Sequence, residues 1–379
     1  MVELERIDVL GGGPAGLYAA YLLKRERSST RVRVLEQNPR GATFGFGVVF
    51  SDQALDFLKA DDPKTHALIT PHMERWRNMT LAHKGQDVVI DGVGFAAIGR
   101  LRLIELLCAQ AEEMGVEVQF DHHVEAVDAL DADLIVGADG LNSLVRQSEP
   151  EAFNAEASYF DNHFAWFGAK RPFDTLTQTF IETSKGAMNA HHYRYQPDMS
   201  TFIVECDQPT FDAFGFADMS EMETARTCEG LFAEMLDGAS LVINKSTWRR
   251  FPKMWCRNWV SGNRVILGDA AHTAHFSVGS GTRLAMEDAL ALAVALESSN
   301  SLDSALVDYQ QKRTPIARKI VEAANTSALW YDDFASKMAL GPLEFGYDYI
   351  TRSGRMDDAR LRKLSPNFMA TYDAMRAAA

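Results

Sequence analysis

Apolar residues fall in short blocks that alternate with longer helical stripes from the start of the chain. Ile7-Asp8-Val9-Leu10 and Val32 to Leu35 read as strands, and the apolar stripe between them, through Leu23, reads as a helix. Asp52 to Lys59 has the spacing of an amphipathic helix. Arg100 to Met114 reads as another, with Leu103, Leu106, Leu107 and Ala111 on one face. Val116 to Phe120 is a strand, and Asp133 to Val136 is a buried strand that runs into Gly137-Ala138-Asp139-Gly140. Residues 71–96 alternate irregularly, as strands of a different layer would. From about Glu151 to Val260 aromatic and β-branched residues recur at period two, as in His191-His192-Tyr193-Arg194-Tyr195 and Ser200-Thr201-Phe202-Ile203-Val204-Glu205. That predicts an antiparallel sheet with one face lining something. The α/β pattern returns with Arg264-Val265-Ile266-Leu267-Gly268-Asp269 and an apolar helix from Leu284 to Leu296. The last fifty residues read as helical and carry Trp330, Tyr331, Phe334, Phe345 and Tyr347.

The first two strands bracket the most informative segment. Gly11-Gly12-Gly13-Pro14-Ala15-Gly16 joins strand to helix, and Glu36 follows the second strand, twenty residues after the last glycine. This is a dinucleotide fingerprint in its required context. Gly11 permits the tight turn, Gly13 lets backbone amides approach a pyrophosphate, and Gly16 lets the helix pack close to the strand. The helix start, with Pro14 and Ala15, faces the anion. Glu36, beside Gln37, can accept hydrogen bonds from ribose hydroxyls.

Composition narrows the class without naming a reaction. With 379 residues the chain can hold two domains, each with a core. A hydrophobic content of 46% and a charged content of 24% fit a soluble globular protein. The net charge of -14 argues against nucleic acid or anionic membranes as general partners. Cys108, Cys206, Cys228 and Cys256 lie far apart and form no C-x-x-C pair, which suggests a reducing compartment and neither zinc nor disulfides. The first strand starts within ten residues of Met1, so no signal peptide is expected, and no run of eighteen apolar residues suggests a spanning helix. A cytoplasmic protein is expected, as a monomer or homodimer.

Three segments then converge: the fingerprint, Asp133 to Arg146, and Gly268-Asp269-Ala270-Ala271-His272 followed by Gly279-Ser280-Gly281. Over roughly the first 325 residues this trio resembles the single-component flavoprotein aromatic hydroxylases, the para-hydroxybenzoate hydroxylase family. The resemblance implies an α/β fold with a Rossmann-like FAD-binding domain of GR2 type, an antiparallel-sheet substrate domain and C-terminal helices. The expected boundaries are 1–70, 97–150 and 261–325 for a discontinuous FAD-binding domain, 71–96 and 151–260 for the substrate sheet, and 326–379 for a helical segment. Glu36 would bind the adenosine ribose of FAD, and Arg100 would stand by its phosphate and ribityl region. Asp139 would contact FAD and take part in handling the nicotinamide cofactor, and Asp269 would bind a ribityl hydroxyl. Gly279, Ser280, Gly281 and Thr282 would point amides at the isoalloxazine, with the backbone of Gly47 and Val48 close by. A helix start suits that place because reduced flavin is anionic at its pyrimidine edge. Taken singly, Asp139 can cap a turn and Asp269 a helix.

The sequence departs from the general family at Phe276, where many members have proline, and at Arg283, where many have asparagine. The stretch His275 to Asp288, with Gly45 to Ser51 and Ala190 to Cys206, resembles a narrower branch. Its members are the salicylyl-CoA and anthraniloyl-CoA hydroxylases and, more distantly, the indole hydroxylases of violacein synthesis. Several aryl-CoA members carry a second, ene-reductase-like half, and no counterpart occurs within these 379 residues.

The resemblance implies that NADH or NADPH reduces FAD and that O2 then gives a flavin hydroperoxide, which hydroxylates an electron-rich ring without a metal. An aryl-CoA thioester such as salicylyl-CoA, hydroxylated at position 5 to gentisyl-CoA, is the expected substrate. A free aromatic acid or an indole or tryptophan-derived metabolite is the alternative. His191, Tyr193 and Tyr195 share a strand face. His191 and Tyr193 are expected toward the ring, with His275 and Phe276 opposite and a histidine as base. Lys245 to Arg257 holds Lys245, Arg249, Arg250, Lys253 and Arg257 and no acid, so Arg249 and Arg250 are candidates for CoA phosphates. Two other readings stay open: a prenyl-carrier protein of GDP-dissociation-inhibitor type, and a flavin reductase or dehydrogenase that does not hydroxylate.

Overall fold

Three sheets divide the chain. The computed structural model describes residues 2–378. The first sheet has six strands in the order Val260–Ser261, Arg264–Ile266, Leu134–Gly137, Arg6–Leu10, Arg31–Leu35 and Glu117–Gln119, parallel except at the Val260–Ser261 edge. Its apolar strands are covered by the helices Pro14–Glu26, Arg100–Glu113 and Gly281–Ser298. Ile7, Val9, Val34, Leu134 and Val136 are sealed from solvent, as the continuous apolar blocks require of a doubly covered parallel sheet.

The turn after the first strand is as tight as its glycines allow. Gly11 sits at φ +102°, and a Cβ there would lie 2.3 Å from the carbonyl oxygen of Ala138. A Cβ on Gly16 would meet the Gly11 carbonyl at 2.0 Å, so strand and helix touch backbone to backbone.

The second sheet runs Leu241–Val242, Ala155–Ala169, Met199–Cys206, Gly186–Gln196, Leu176–Thr183, Met79–His83 and Gln86–Ile90, with Arg249–Cys256 also paired to Ala155–Ala169. It is antiparallel except where Leu176–Thr183 lies parallel to Met79–His83. Its outer face packs Phe167, Phe202, Val204 and Met188 under the helices Gln208–Phe214 and Glu221–Leu231, which the strand-like periodicity of this region did not announce. The third sheet is small: Gly47–Ser51, Phe95–Gly99 and Glu74–Trp76. Residues 71–96 are therefore shared between two sheets rather than forming one layer.

Asp52 to Lys59 is not a single helix. A 3-10 turn, Asp52–Leu55, leads into the helix Asp56–Asp61, and Pro63 then opens a second helix, Pro63–Ile69, capped by Asp62.

The 31-residue helix Leu302–Asp332 runs from the first sheet to the second. Its end joins the C-terminal helices in an aromatic core of Trp330, Tyr331, Phe334, Phe345 and Tyr349, packed on Phe180 of the second sheet. No helix among the described residues is long and apolar enough to cross a membrane.

Candidate active site

One cavity of about 760 Å³ runs from the carboxyl ends of the parallel strands to the inner face of the second sheet. That size suits a cofactor or a large small-molecule ligand. At the parallel-sheet end its wall includes Gly11, Gly13, Pro14, Ala15, Glu36 and Gln37; farther along come Arg100, Asp139 and Asp269. Gly279, Ser280, Gly281 and Thr282 follow, with Gly47 and Val48 opposite. At the far end stand His191, Tyr193, Trp166, Ile203, Phe251 and Phe276. Gly16 is not in the wall; it packs against Gly11 behind it.

The dinucleotide end is preorganised by hydrogen bonds. Glu36 accepts from the Gly12 amide at 2.6 Å through one oxygen, and from the amide and side chain of Asn38 at 2.8 and 2.6 Å through the other. No protein atom lies within 4 Å of where a Gly13 Cβ would stand, so the backbone there is open to a ligand. His122, His123 and Val124, in the segment after the edge strand Glu117–Gln119, complete this end. They lack a motif. Their signal is topological, since loops beyond the carboxyl ends of parallel strands line such crevices.

The middle is polar and incompletely paired. One Asp139 oxygen accepts from the amides of Leu144 and Val145 at 2.6 and 3.3 Å, while the other is buried without a partner. Burial raises the Asp139 carboxyl above the ordinary range. Arg100 starts the helix Arg100–Glu113 and makes no ion pair among the described residues; burial lowers its pKa, with Asp269 pulling the other way. Asp269 lines the cavity and is exposed there. Protein crowds it on the other sides, and that burial raises its carboxyl. A buried carboxyl with an unused oxygen, an unpaired arginine and an open glycine backbone in one cleft fit FAD.

The Gly268–Ala270 turn is held by Asp288, to which no motif assigns a role. Asp288, fully buried on the helix Gly281–Ser298, accepts from the Gly268 amide at 3.0 Å and pairs with His272 at 2.8 Å. Its second oxygen accepts from Arg313 Nε at 2.6 Å. Burial would raise its carboxyl, yet His272 and Arg313 outweigh burial and hold it at about 2.

The sheet end is built from cross-strand rows. Trp166 faces Ile203, Ile203 faces His191, and His191 faces Gln178, so four strands put one row on the inner face. Burial pushes the His191 imidazole down to about 3, with Arg352 adding to the fall. The His191 ring lies in the cavity wall, but both of its nitrogens are buried and unpartnered. Tyr193 is already engaged: its hydroxyl donates to the Gly47 carbonyl at 2.8 Å, and burial raises its pKa. It therefore braces the Gly47–Ser51 strand against the sheet. Phe276 reaches the wall, near-parallel to His191 at 6.5 Å between ring centres. His275 is not in the wall. It packs under Phe276 at 4.2 Å, accepts from the Ser277 amide at 3.3 Å, and is pushed by burial to about 3.

The basic stretch separates into paired and unpaired cations, and Lys245, over the Phe44 ring at 4.1 Å, has no carboxylate partner among the described residues. Arg250 donates to the Phe160 carbonyl at 2.6 Å and pairs with Asp161 at 2.8 Å, and Arg257 pairs with Glu156. The acids missing from the stretch come from the neighbouring strand Ala155–Ala169. Arg249 and Lys253 have no carboxylate partner among the described residues. They alternate with Phe251 along their strand and lie over Phe164 and Phe160, 5.4 and 6.0 Å from the ring centres; Phe251 reaches the cavity wall and neither cation does.

The profile described as "FAD binding domain" matches residues 5–324. The salicyloyl-CoA 5-hydroxylase of Streptomyces sp is 39% identical over 360 residues, covering 92% of this chain and 70% of that protein. The 3-hydroxy-4-methyl-anthranilyl-(aryl-carrier protein) 5-monooxygenase of Streptosporangium sibiricum is 35% identical, covering 86% of this chain and 89% of that protein. The protodeoxyviolaceinate monooxygenase of Chromobacterium violaceum is 29% identical and covers 95% of this chain and 96% of its own. Among solved structures, 2-methyl-3-hydroxypyridine-5-carboxylic acid oxygenase superposes with a TM-score of 0.73, at 18% identity and 96% coverage of both chains, a likeness of fold.

Proposed function

We propose a specific reaction for a chain that belongs to the FAD binding domain family of flavin-dependent monooxygenases: hydroxylation of an aromatic ring carried as a thioester, with salicylyl-CoA at ring position 5 the leading case. One observation carries this reading. The cavity that joins the dinucleotide cradle to the aromatic wall is continuous, so a flavin and a ring can meet in it.

Glu36 would hold the ribose of FAD, the amides of Gly13 to Ala15 the pyrophosphate, and Arg100 and Asp139 its middle. Asp269 and the helix start at Gly279 to Thr282 would hold the ribityl chain and ring. The bound cofactor supplies hydride acceptance from NAD(P)H and activation of O2 for transfer to an electron-rich ring. The chain's own residues position that ring and keep water away. Trp166, Ile203, Phe251 and Phe276 provide the apolar walls. His191 stays neutral at pH 7, so it serves as a hydrogen-bond acceptor for a ring hydroxyl. Both nitrogens are buried without a partner, so either can take up a hydrogen bond from a ring that reaches it.

The relatives, together with Arg249 and Lys253, support the thioester half of this reading. Two relatives are named for substrates on CoA or an aryl carrier. Arg249 and Lys253, exposed beside Phe251, suit phosphates at the mouth, whereas Arg250 is held by Asp161.

The test compares NADH consumption and product formation with salicylyl-CoA, free salicylate and tryptophan. Stimulation by the thioester alone supports the proposal. Stimulation by a free aromatic or an indole keeps the flavin chemistry and removes the thioester. Product formed without oxygen would remove the monooxygenase reading.

A further inference from the structure

Phe276, one wall of the proposed ring site, is carried on a 3-10 turn, Phe276–Val278, just before the helix that faces the flavin cradle. That turn is held from behind by the C-terminal helices. Arg352, which caps the helix Pro342–Thr351, donates to the Ser277 carbonyl at 2.8 Å, to Ser327 Oγ at 3.0 Å and to the Tyr349 carbonyl at 2.7 Å. Ser277 Oγ and Ser327 Oγ lie 2.8 Å apart and close the ring of bonds. The guanidinium also lies over Tyr349, 3.7 Å from the ring centre, and 5.5 Å from that of Tyr331. Ser277 and Ser327 are both buried, so these bonds are shielded from water.

Every acceptor on Arg352 is neutral. The buried carboxyl in the same cluster, Glu205, is pushed by burial up to about 8, so it does not cancel the arginine's charge at pH 7. The groups around the arginine are Glu205, Tyr331, Tyr349, His191 and His275. A planar fork making three directed bonds suits a structural clamp better than a point charge does.

We propose that Arg352 is a positioning residue: by gripping the Ser277 carbonyl it fixes the Phe276 turn, so that the C-terminal helices set how an aromatic ring lies in the cavity. This rests on reading the cavity's inner end as the ring site. A ring misplaced by about 1 Å loses roughly 100-fold in rate. The same misplacement separates NADH consumption from product formation, because reduced flavin still meets oxygen.

The experiment uses the FAD-loaded full chain as wild type, Arg352→Ala, Arg352→Lys and Ser327→Ala. Hydrogen exchange at residues 275–281 is measured without any aromatic, and product formed per NADH is measured with whichever aromatic stimulates the wild type. Arg352→Ala is expected to speed exchange at the turn, leave exchange at residues 7–23 unchanged, and lower kcat/KM for hydroxylation roughly 100-fold. Added guanidinium should restore part of the lost product yield, and Arg352→Lys and Ser327→Ala should fall between. Unchanged exchange and unchanged product per NADH in Arg352→Ala overturn the proposal. If that variant fails to fold, wild-type values in both Arg352→Lys and Ser327→Ala overturn it instead. Exchange at the turn decides the clamp even if no thioester is a substrate, so this outcome is separate from that of the proposed reaction.

Discussion

Asp288→Asn removes one charge and almost no volume, and its effect can be worked out from the contacts. Asp288 is fully buried, accepts from the Gly268 amide and pairs with both His272 and Arg313. Removing one partner of a buried pair costs about 3–5 kcal/mol when the other is stranded. Here Arg313 keeps Glu287 at 2.9 Å, so a loss of about 2–3 kcal/mol is expected. The titration gives a similar figure. A carboxyl lowered from 3.8 to about 2, at ~1.4 kcal/mol per pH unit, contributes roughly 2 kcal/mol. The sign follows from a depressed folded pKa: the contribution is present above the unfolded carboxyl's range and is lost as pH falls through about 2. Urea unfolding of both proteins at pH 7 and pH 3 should show the gap narrowing toward acid. Because the Gly268 amide loses its anchor, FAD affinity should also fall about tenfold, equivalent to ~1.4 kcal/mol. Equal unfolding midpoints at pH 7 together with equal FAD affinity would refute this account of the buried cluster.

Three further outcomes are expected. Glu205, raised to about 8, makes the folded state hold a proton that the unfolded chain releases near 4.5; wild-type stability should therefore fall between pH 5 and 8, by up to ~1.4 kcal/mol per pH unit, and Glu205→Gln should flatten that slope in urea melts. Charge reversal at Arg249 and Lys253 together should raise KM for an aryl-CoA about tenfold at low salt and spare a free aromatic acid, while reversal at Arg250 should act mainly on stability; equal KM effects on both substrates would remove the phosphate role. His191→Ala should lower hydroxylation roughly 100-fold without loss of FAD. An unchanged rate and pH profile would end its part in the reaction.

The flavin end was legible because its signals are local. Gly11 answers to its own turn at φ +102° and Gly16 to the Gly11 carbonyl within one strand–turn–helix unit, and Glu36 sits where the second strand must end. The apolar blocks around Val9, Val34 and Val136 are strands buried on both faces, which periodicity reports directly. The substrate end was less legible because its meaning lies in register. Trp166, Ile203 and His191 become one row only when three strands pair in a particular alignment. Phe251 reads as an ordinary strand residue until its neighbours are placed. The pairing of Arg250 with Asp161 spans 89 positions, and the hold of Asp288 on Gly268 spans 20. His275 and Phe276 are adjacent in sequence, yet a 3-10 turn sends one ring into the cavity wall and the other beneath it.

The strand order of the first sheet also bears on how the protein is made. Arg264–Ile266 pairs with Leu134–Gly137, so the sheet cannot close until residues 138–263 have been synthesised. At about 5–20 residues per second, the nascent fingerprint waits roughly 6–25 s beside an open strand edge. Asp288 emerges later still, and until then the Gly268 amide lacks its side-chain acceptor. The cleft in which FAD would sit is thus complete only late in synthesis, and a chain arrested before the Gly281–Ser298 helix is expected to emerge without the yellow of a bound flavin.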